Sequence, residues 1–206
     1  MARVEVTPEQ FTLVEYDAGV IAGLAEELAA EVGIPDDVPI RIEIDEELPL
    51  PLTGSTADVV DGSAQLWFSG ASFEDGRHRA TFNDRLARTE LAMQLFRAGD
   101  RLQPGFAGAP ADEDLTDGQR AAWEAWAEGR AARLGELSRK VRRQYVFRLY
   151  NGFTDFADDA FERLWNADQL TWSDLESIFA ECKAVDPRPE PKAKSAIRRD
   201  SLKAQG

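Results

Sequence analysis

The stretch Val38-Pro39-Ile40-Arg41-Ile42-Glu43-Ile44-Asp45 decides the fold class. Val38, Ile40, Ile42 and Ile44 alternate with Pro39, Arg41, Glu43 and Asp45, and a period of two predicts a strand with one buried face. Upstream the period changes. In residues 17–32 the apolar positions Val20, Ile21, Leu24, Leu28 and Val32 recur at helical spacing, and Gly33 supplies a C-terminal stop. Residues 7–16 read two ways. Thr7-Pro8-Glu9-Gln10 has the Thr, first-turn Pro and third-position Gln of a helix start, while Phe11-Thr12-Leu13-Val14-Glu15-Tyr16 alternates as a strand does.

Downstream, Leu48-Pro49-Leu50-Pro51 cannot continue a central strand, because proline offers no ladder donor. Short strands are expected at 58–60 and 64–69, joined by the hairpin signal Asp61-Gly62. A second helix is predicted over 83–99, with Leu86, Glu90, Met93 and Arg97 on one line and Leu91, Leu95 and Ala98 beside it. Its apolar breadth predicts that it lies against the sheet. Residues 103–114, rich in Pro, Gly, Ala and acid, read as a solvated loop. Thr116 and Gln119 then form a capping box for a third helix carrying Trp123 and Trp126. A fourth helix over 137–150 is expected to turn Val141, Tyr145 and Leu149 inward. Thr154 caps a fifth with Phe161 and Trp165, and Thr171 with Asp174 caps a sixth with Leu175 and Ile178. Residues 186–206, with three prolines near their start and Lys192, Lys194, Arg198, Arg199 and Lys203 after them, have almost nothing to bury and read as a flexible basic tail. The expectation is an α+β fold: a small mixed or antiparallel sheet packed against two helices, followed by a helical C-terminal half. Residues 1–185 then form one domain, with the sheet in 1–102 and the helical part in 115–185.

Composition narrows the function. No apolar run approaches the roughly 18 residues that span a bilayer, and residues 1–6 lack the pattern of a secretory signal, so a soluble protein with no membrane partner is expected. Cys182 is the single cysteine, which fits a reducing compartment and a cytoplasmic location. Arginine supplies 19 of the 24 basic residues, a bias typical of GC-rich bacterial coding. The net charge of -14 is uneven: residues 1–138 carry 27 acids against 11 bases, and 139–206 carry 11 against 13. Such an acidic body repels nucleic acid, which could bind only through the basic second part.

Candidate chemistry is sparse. His78 and Cys182 are the lone imidazole and thiol, so no spaced metal-ligand pair exists, and neither a metal nor a cofactor is expected. No serine sits in a G-x-S-x-G elbow, and no glycine-rich phosphate cradle follows a strand. Glu90, in the middle of the apolar second helix, is the candidate acid or base; its plain alternative is a partner at Arg97, Arg85 or a neighbouring helix, or a place on the outer edge. The strand Ala64-Gln65-Leu66-Trp67-Phe68, followed by a helix containing Thr89-Glu90-Leu91-Ala92-Met93, resembles the core of zincin-type metallopeptidases, where an edge strand precedes an H-E-x-x-H helix. The resemblance covers residues 38–100 and implies that Glu90 would be the general base of a hydrolase. Only the glutamate of the motif is present; Thr89 and Met93 stand where the histidines would be. Over its whole length the chain resembles uncharacterised actinobacterial proteins of similar size, which implies no activity.

The sequence weighs against catalysis and toward a non-catalytic or degenerate enzyme that binds a protein partner. Candidate contact residues are the pairs Trp67-Phe68 and Trp123-Trp126, the acidic loop 107–117, and Arg139, Arg142 and Arg143 of the basic segment 139–148. The alternatives are a hydrolase using Glu90 and a nucleic-acid-associated protein using segment 139–148 and the tail. Pairing of the arginines with acids of the first half competes with the latter.

Overall fold

The computed structural model describes residues 3–48 and 50–187, so Pro49 and most of the expected basic tail lie outside the described residues. Strand β1 (Val4–Thr7) is followed by α1 (Ala18–Val32), β2 (Ile40–Asp45), the hairpin β3 (Ser55–Val60) and β4 (Ser63–Ser69), and then α2 (Asp84–Arg101). The sheet order is β1-β2-β4-β3, with β1, β2 and β4 parallel and β3 antiparallel at the edge. The sheet is therefore mixed, and β4, which leads toward α2, is an interior strand and not the edge strand that the zincin resemblance implies. The ambiguous segment 7–16 is neither helix nor strand beyond Thr7. Tyr16 anchors it by donating its hydroxyl to the Gly70 carbonyl at 2.7 Å.

Local chemistry places the elements. Asp17 caps α1 by accepting from the Val20 N–H, and Gly33 ends it at φ 85°, a left-handed conformation that favours glycine. Asn83 caps α2 through the Leu86 N–H. Ile40, Ile42, Ile44, Leu66 and Phe68 bury one sheet face in a core shared with Ile21 and Leu28 of α1 and Leu91 and Leu95 of α2.

The helical half comprises α3 (Asp117–Arg133), α4 (Lys140–Asn151), α5 (Asp155–Asn166) and α6 (Trp172–Val185). It has its own core around Trp123, Trp126, Phe147, Phe161 and Leu164, while Ala127 and Ala131 of α3 belong to the sheet core, so α3 joins the two. At Gly129 a Cβ would stand 2.2 Å from the Trp165 carbonyl oxygen, so α3 meets the end of α5 where only glycine fits.

Two expectations are corrected. Loop 103–114 is not simply solvated acid: Asp112 is fully buried, paired with Arg97 and Arg120, and its N–H donates to Asp58 at 3.0 Å. Beside it the Asp100 carboxylate accepts from Trp123 Nε1 at 2.7 Å and from both Arg130 Nη atoms at 2.7 and 2.6 Å. Desolvation pushes the Asp100 carboxyl above its usual range, against the opposing pull of Arg130. The second correction concerns α4. Val141, Tyr145 and Leu149 are exposed, at 84%, 55% and 44%. The stripe facing the rest of the protein is Arg139, Arg143, Phe147 and Asn151, also spaced by four, because carboxylates of α2 and α3 await a cation there.

Candidate functional site

Glu90, Arg139, Arg142 and Arg143, scattered in sequence, line one cleft of about 460 Å³. Its walls come from the segment entering β3 (Leu50, Pro51, Thr53, Gly54 and Ser55), from α2 (Leu86 and Glu90), from α3 (Glu124 and Glu128) and from α4 (Arg139, Arg142, Arg143 and Val146). Leu50, Pro51, Leu86 and Val146 supply apolar surface, and the charged groups supply the rest.

Most of those charges are spoken for. Arg139 Nη2 bonds Glu90 Oε1 at 2.5 Å, and the Arg139 backbone N–H donates to Glu128 Oε1 at 2.9 Å. Arg143 Nε donates to Glu128 Oε2 at 2.7 Å while its Nη1 pairs with Glu124. Burial opposes the Arg143 charge, yet Glu124, Glu128 and Glu90 together hold it more firmly protonated than a free arginine. The match is one of spacing on α3: Glu124 and Glu128, four apart, both reach Arg143, while the Arg139 side chain goes to Glu90 of α2. That signal was present in the sequence, but it required knowing that α3 and α4 are neighbours. Arg142 is exposed at the rim and makes no ion pair among the described residues.

The β3 edge opens into the same cleft. Gly54 accepts the Ser69 N–H at 2.9 Å, so Gly54 is a hydrogen-bonded pair with Ser69 and the next residue is not. By this alternation the backbone groups of Ser55 and Ala57 point away from β4. The Ala57 carbonyl is taken by Arg101 Nε at 2.8 Å, whereas Ser55 lines the cleft. Two buried hydroxyls brace this turn: Ser69 Oγ accepts from the Gly54 N–H and Ser72 Oγ donates to the Gly54 carbonyl, each at 3.0 Å. Buried Glu74 accepts the N–H groups of Leu50 and Ala80 at 3.1 and 2.8 Å, pinning the proline-rich segment as one wall.

The other sequence candidates lie elsewhere. Phe68, Trp123 and Trp126 are buried in the two cores and offer no surface to a partner. Trp67 is half-buried on the outer sheet face, in a shallow depression shared with Arg41, Glu43, Thr56 and Gln65. His78 is 73% exposed beside Asp75 and is not part of the cleft. Cys182 is buried, and desolvation raises its thiol to about 11.

On the α2 turn that resembles a zincin helix, the residues do not fit a zinc ion. Thr89 donates its hydroxyl to the Arg85 carbonyl at 2.9 Å, and the Met93 sulfur faces Arg143 Nη2 at 3.9 Å, a fixed positive charge that would repel a metal. Among the described residues no group of three or more His, Cys, Asp or Glu is arranged as a metal site. Among them, too, no helix is long and apolar enough to cross a membrane. Comparison of the chain with protein-family models, with curated proteins and with solved structures gave no match.

Proposed function

We propose that this is a non-catalytic binding protein and that the cleft between β3, α2 and α4 receives an extended segment of a protein partner. The observation that carries this reading is the outward-turned backbone at Ser55 opening into a cleft whose carboxylates are already engaged, Glu90, Glu124 and Glu128 by arginines and Glu74 by backbone N–H groups. A peptide can add to such an edge by main-chain hydrogen bonds, with alternate side chains against Leu50, Leu86 and Val146. The paired charges favour this over chemistry on a small substrate: Glu90 and Glu128 accept from Arg139, and Arg143 is clamped between two glutamates. The test is selection of displayed peptides on the immobilised protein. Selected peptides should fail to bind Ser55→Pro, which removes one outward N–H together with the hydroxyl that accepts from Gln94 Nε2 at 2.9 Å, and Val146→Glu, which leaves that bond in place. Peptides that bind both variants as well as the wild type would overturn the proposal.

A second reading keeps Glu90 as the general base of a hydrolase on a zincin-like frame, and the placement of Glu90 in the cleft favours it. It requires Arg139 to release the carboxylate, and it predicts turnover of some peptide or ester substrate that Glu90→Gln abolishes. The nucleic-acid reading is weakened by pairing: Arg139, Arg143, Lys140 and Arg148 all face acids. Absence of retention on heparin or DNA at low salt would remove it.

A further inference from the structure

The exposed face of α4 has no use in the cleft reading. Val141, Tyr145 and Leu149 follow one another at four-residue steps, a ridge of about 12 Å at a rise of roughly 1.5 Å per residue. Phe153, 51% exposed just past the helix, sets its ring edge-on against Tyr145 with centroids 6.0 Å apart, widening the ridge into a patch. Four large apolar side chains gathered in this way are more than scattered surface residues.

The charges at its two ends differ in sign. Arg142 stands beside Val141 at the N-terminal end, exposed and without an acidic partner among the described residues. Asp155 stands beyond Phe153 at the C-terminal end, exposed in the first turn of α5 and without a basic partner among them. The nearby charges between them are matched internally, Arg148 with Asp158 and Lys140 with Glu162. A ridge with a free cation at one end and a free anion at the other is complementary to itself when turned end for end.

We propose that the protein pairs with a second copy of itself through this face, the two α4 helices crossing antiparallel over Tyr145 and Leu149. Arg142 of each copy then meets Asp155 of the other, twice by symmetry. A parallel crossing would set Arg142 against Arg142. A uniformly acidic partner segment would satisfy Arg142 but face Asp155 with like charge. The overall charge of -14 does not forbid the pairing, because at physiological salt the screening length is about 8 Å and local partners dominate.

Sedimentation velocity over a wide concentration series tests the pairing. The wild type should pass from monomer to dimer as concentration rises, and Leu149→Glu should stay monomeric. Arg142→Asp and Asp155→Arg should each weaken the dimer about five- to tenfold, and the combined swap should restore it. All these positions are exposed, so thermal midpoints at monomeric concentration should stay near that of the wild type, apart from a small drop where Asp155→Arg sets a cation in the first turn of α5, and the swap and Leu149→Glu probe the same contact independently. A wild type that stays monomeric throughout overturns the proposal, as does a dimer indifferent to Leu149→Glu or a swap that does not restore association. Binding of anionic vesicles or of an acidic helical peptide to the ridge of a monomeric protein would also overturn it.

Discussion

Replacing Asp112 by Asn would test the buried charge network that fastens the loop after α2 over the sheet edge. The substitution keeps volume and shape, so no cavity term enters; it removes the negative charge and turns one of the two accepting oxygens into a donor that faces an arginine. Arg97 and Asp112 are both fully buried, and Arg120 converges on the same carboxylate. Without the charge, Arg97 keeps the Gln94 carbonyl oxygen at 3.0 Å, while its Nε already lacks a partner. Removing one partner of such a buried pair typically costs about 3 to 5 kcal/mol, because the remaining guanidinium cannot recover its hydration. For a chain of this size each kcal/mol lowers the thermal midpoint by roughly 2 to 4 °C, so a drop of about 12 °C is expected. Denaturant and thermal unfolding would read it. The same reasoning predicts strong non-additivity: Arg97→Met with Asp112→Asn should cost less than Asp112→Asn alone, since the fully buried guanidinium is then not stranded and only the more exposed Arg120 loses its partner. A single variant costing under about 1 kcal/mol, or a double variant equal to the sum of the singles, would refute the network as described.

Other substitutions probe packing and pH. Gly129→Ala should destabilise by several kcal/mol, on the order of an overpacked core, because its Cβ would stand 2.2 Å from backbone of Trp165; equilibrium unfolding measures it. Val141→Ser should stay within about 0.5 kcal/mol at low protein concentration, whereas an inward-facing residue there would cost several times more. The Arg148 hydrogen bond holds the Asp158 carboxyl below its usual value of 3.8, so the pair linking α4 to α5 contributes stability above that pH and loses it as pH falls through the lower folded value. Asp158→Asn should therefore be less stable than the wild type near neutral pH, and the difference should vanish in acid.

The fold was largely legible because its signals are local. Alternation at Ile40, Ile42 and Ile44, the Asp61-Gly62 turn, the Thr116, Thr154 and Thr171 caps and the Gly33 stop each act within a few residues, and the elements form at those places. The cleft was legible only in part. Glu90, Arg139 and Arg143 could be named, but their convergence depends on α2, α3 and α4 packing together, which no local pattern encodes. Apolarity misled at α4, where the stripe of Val141, Tyr145 and Leu149 looked inward. The inward position is held by Arg143, because charge demand from Glu124 and Glu128 outweighs burial of a few apolar groups. Trp123 and Trp126 lie inside: their indole N–H groups reach Asp100 and the Ala167 carbonyl, at 2.7 and 3.0 Å, so both rings are buried with those polar atoms satisfied.

Site-directed photo-crosslinking in the native host tests the binding role of the cleft most directly. A photoreactive residue at Val146 should trap one discrete partner protein, and the same residue at Arg41, on the outer sheet face, should not. Crosslinking from Arg41 but not from Val146, or no adduct from Val146 while purified protein shows turnover that depends on Glu90, would contradict the account.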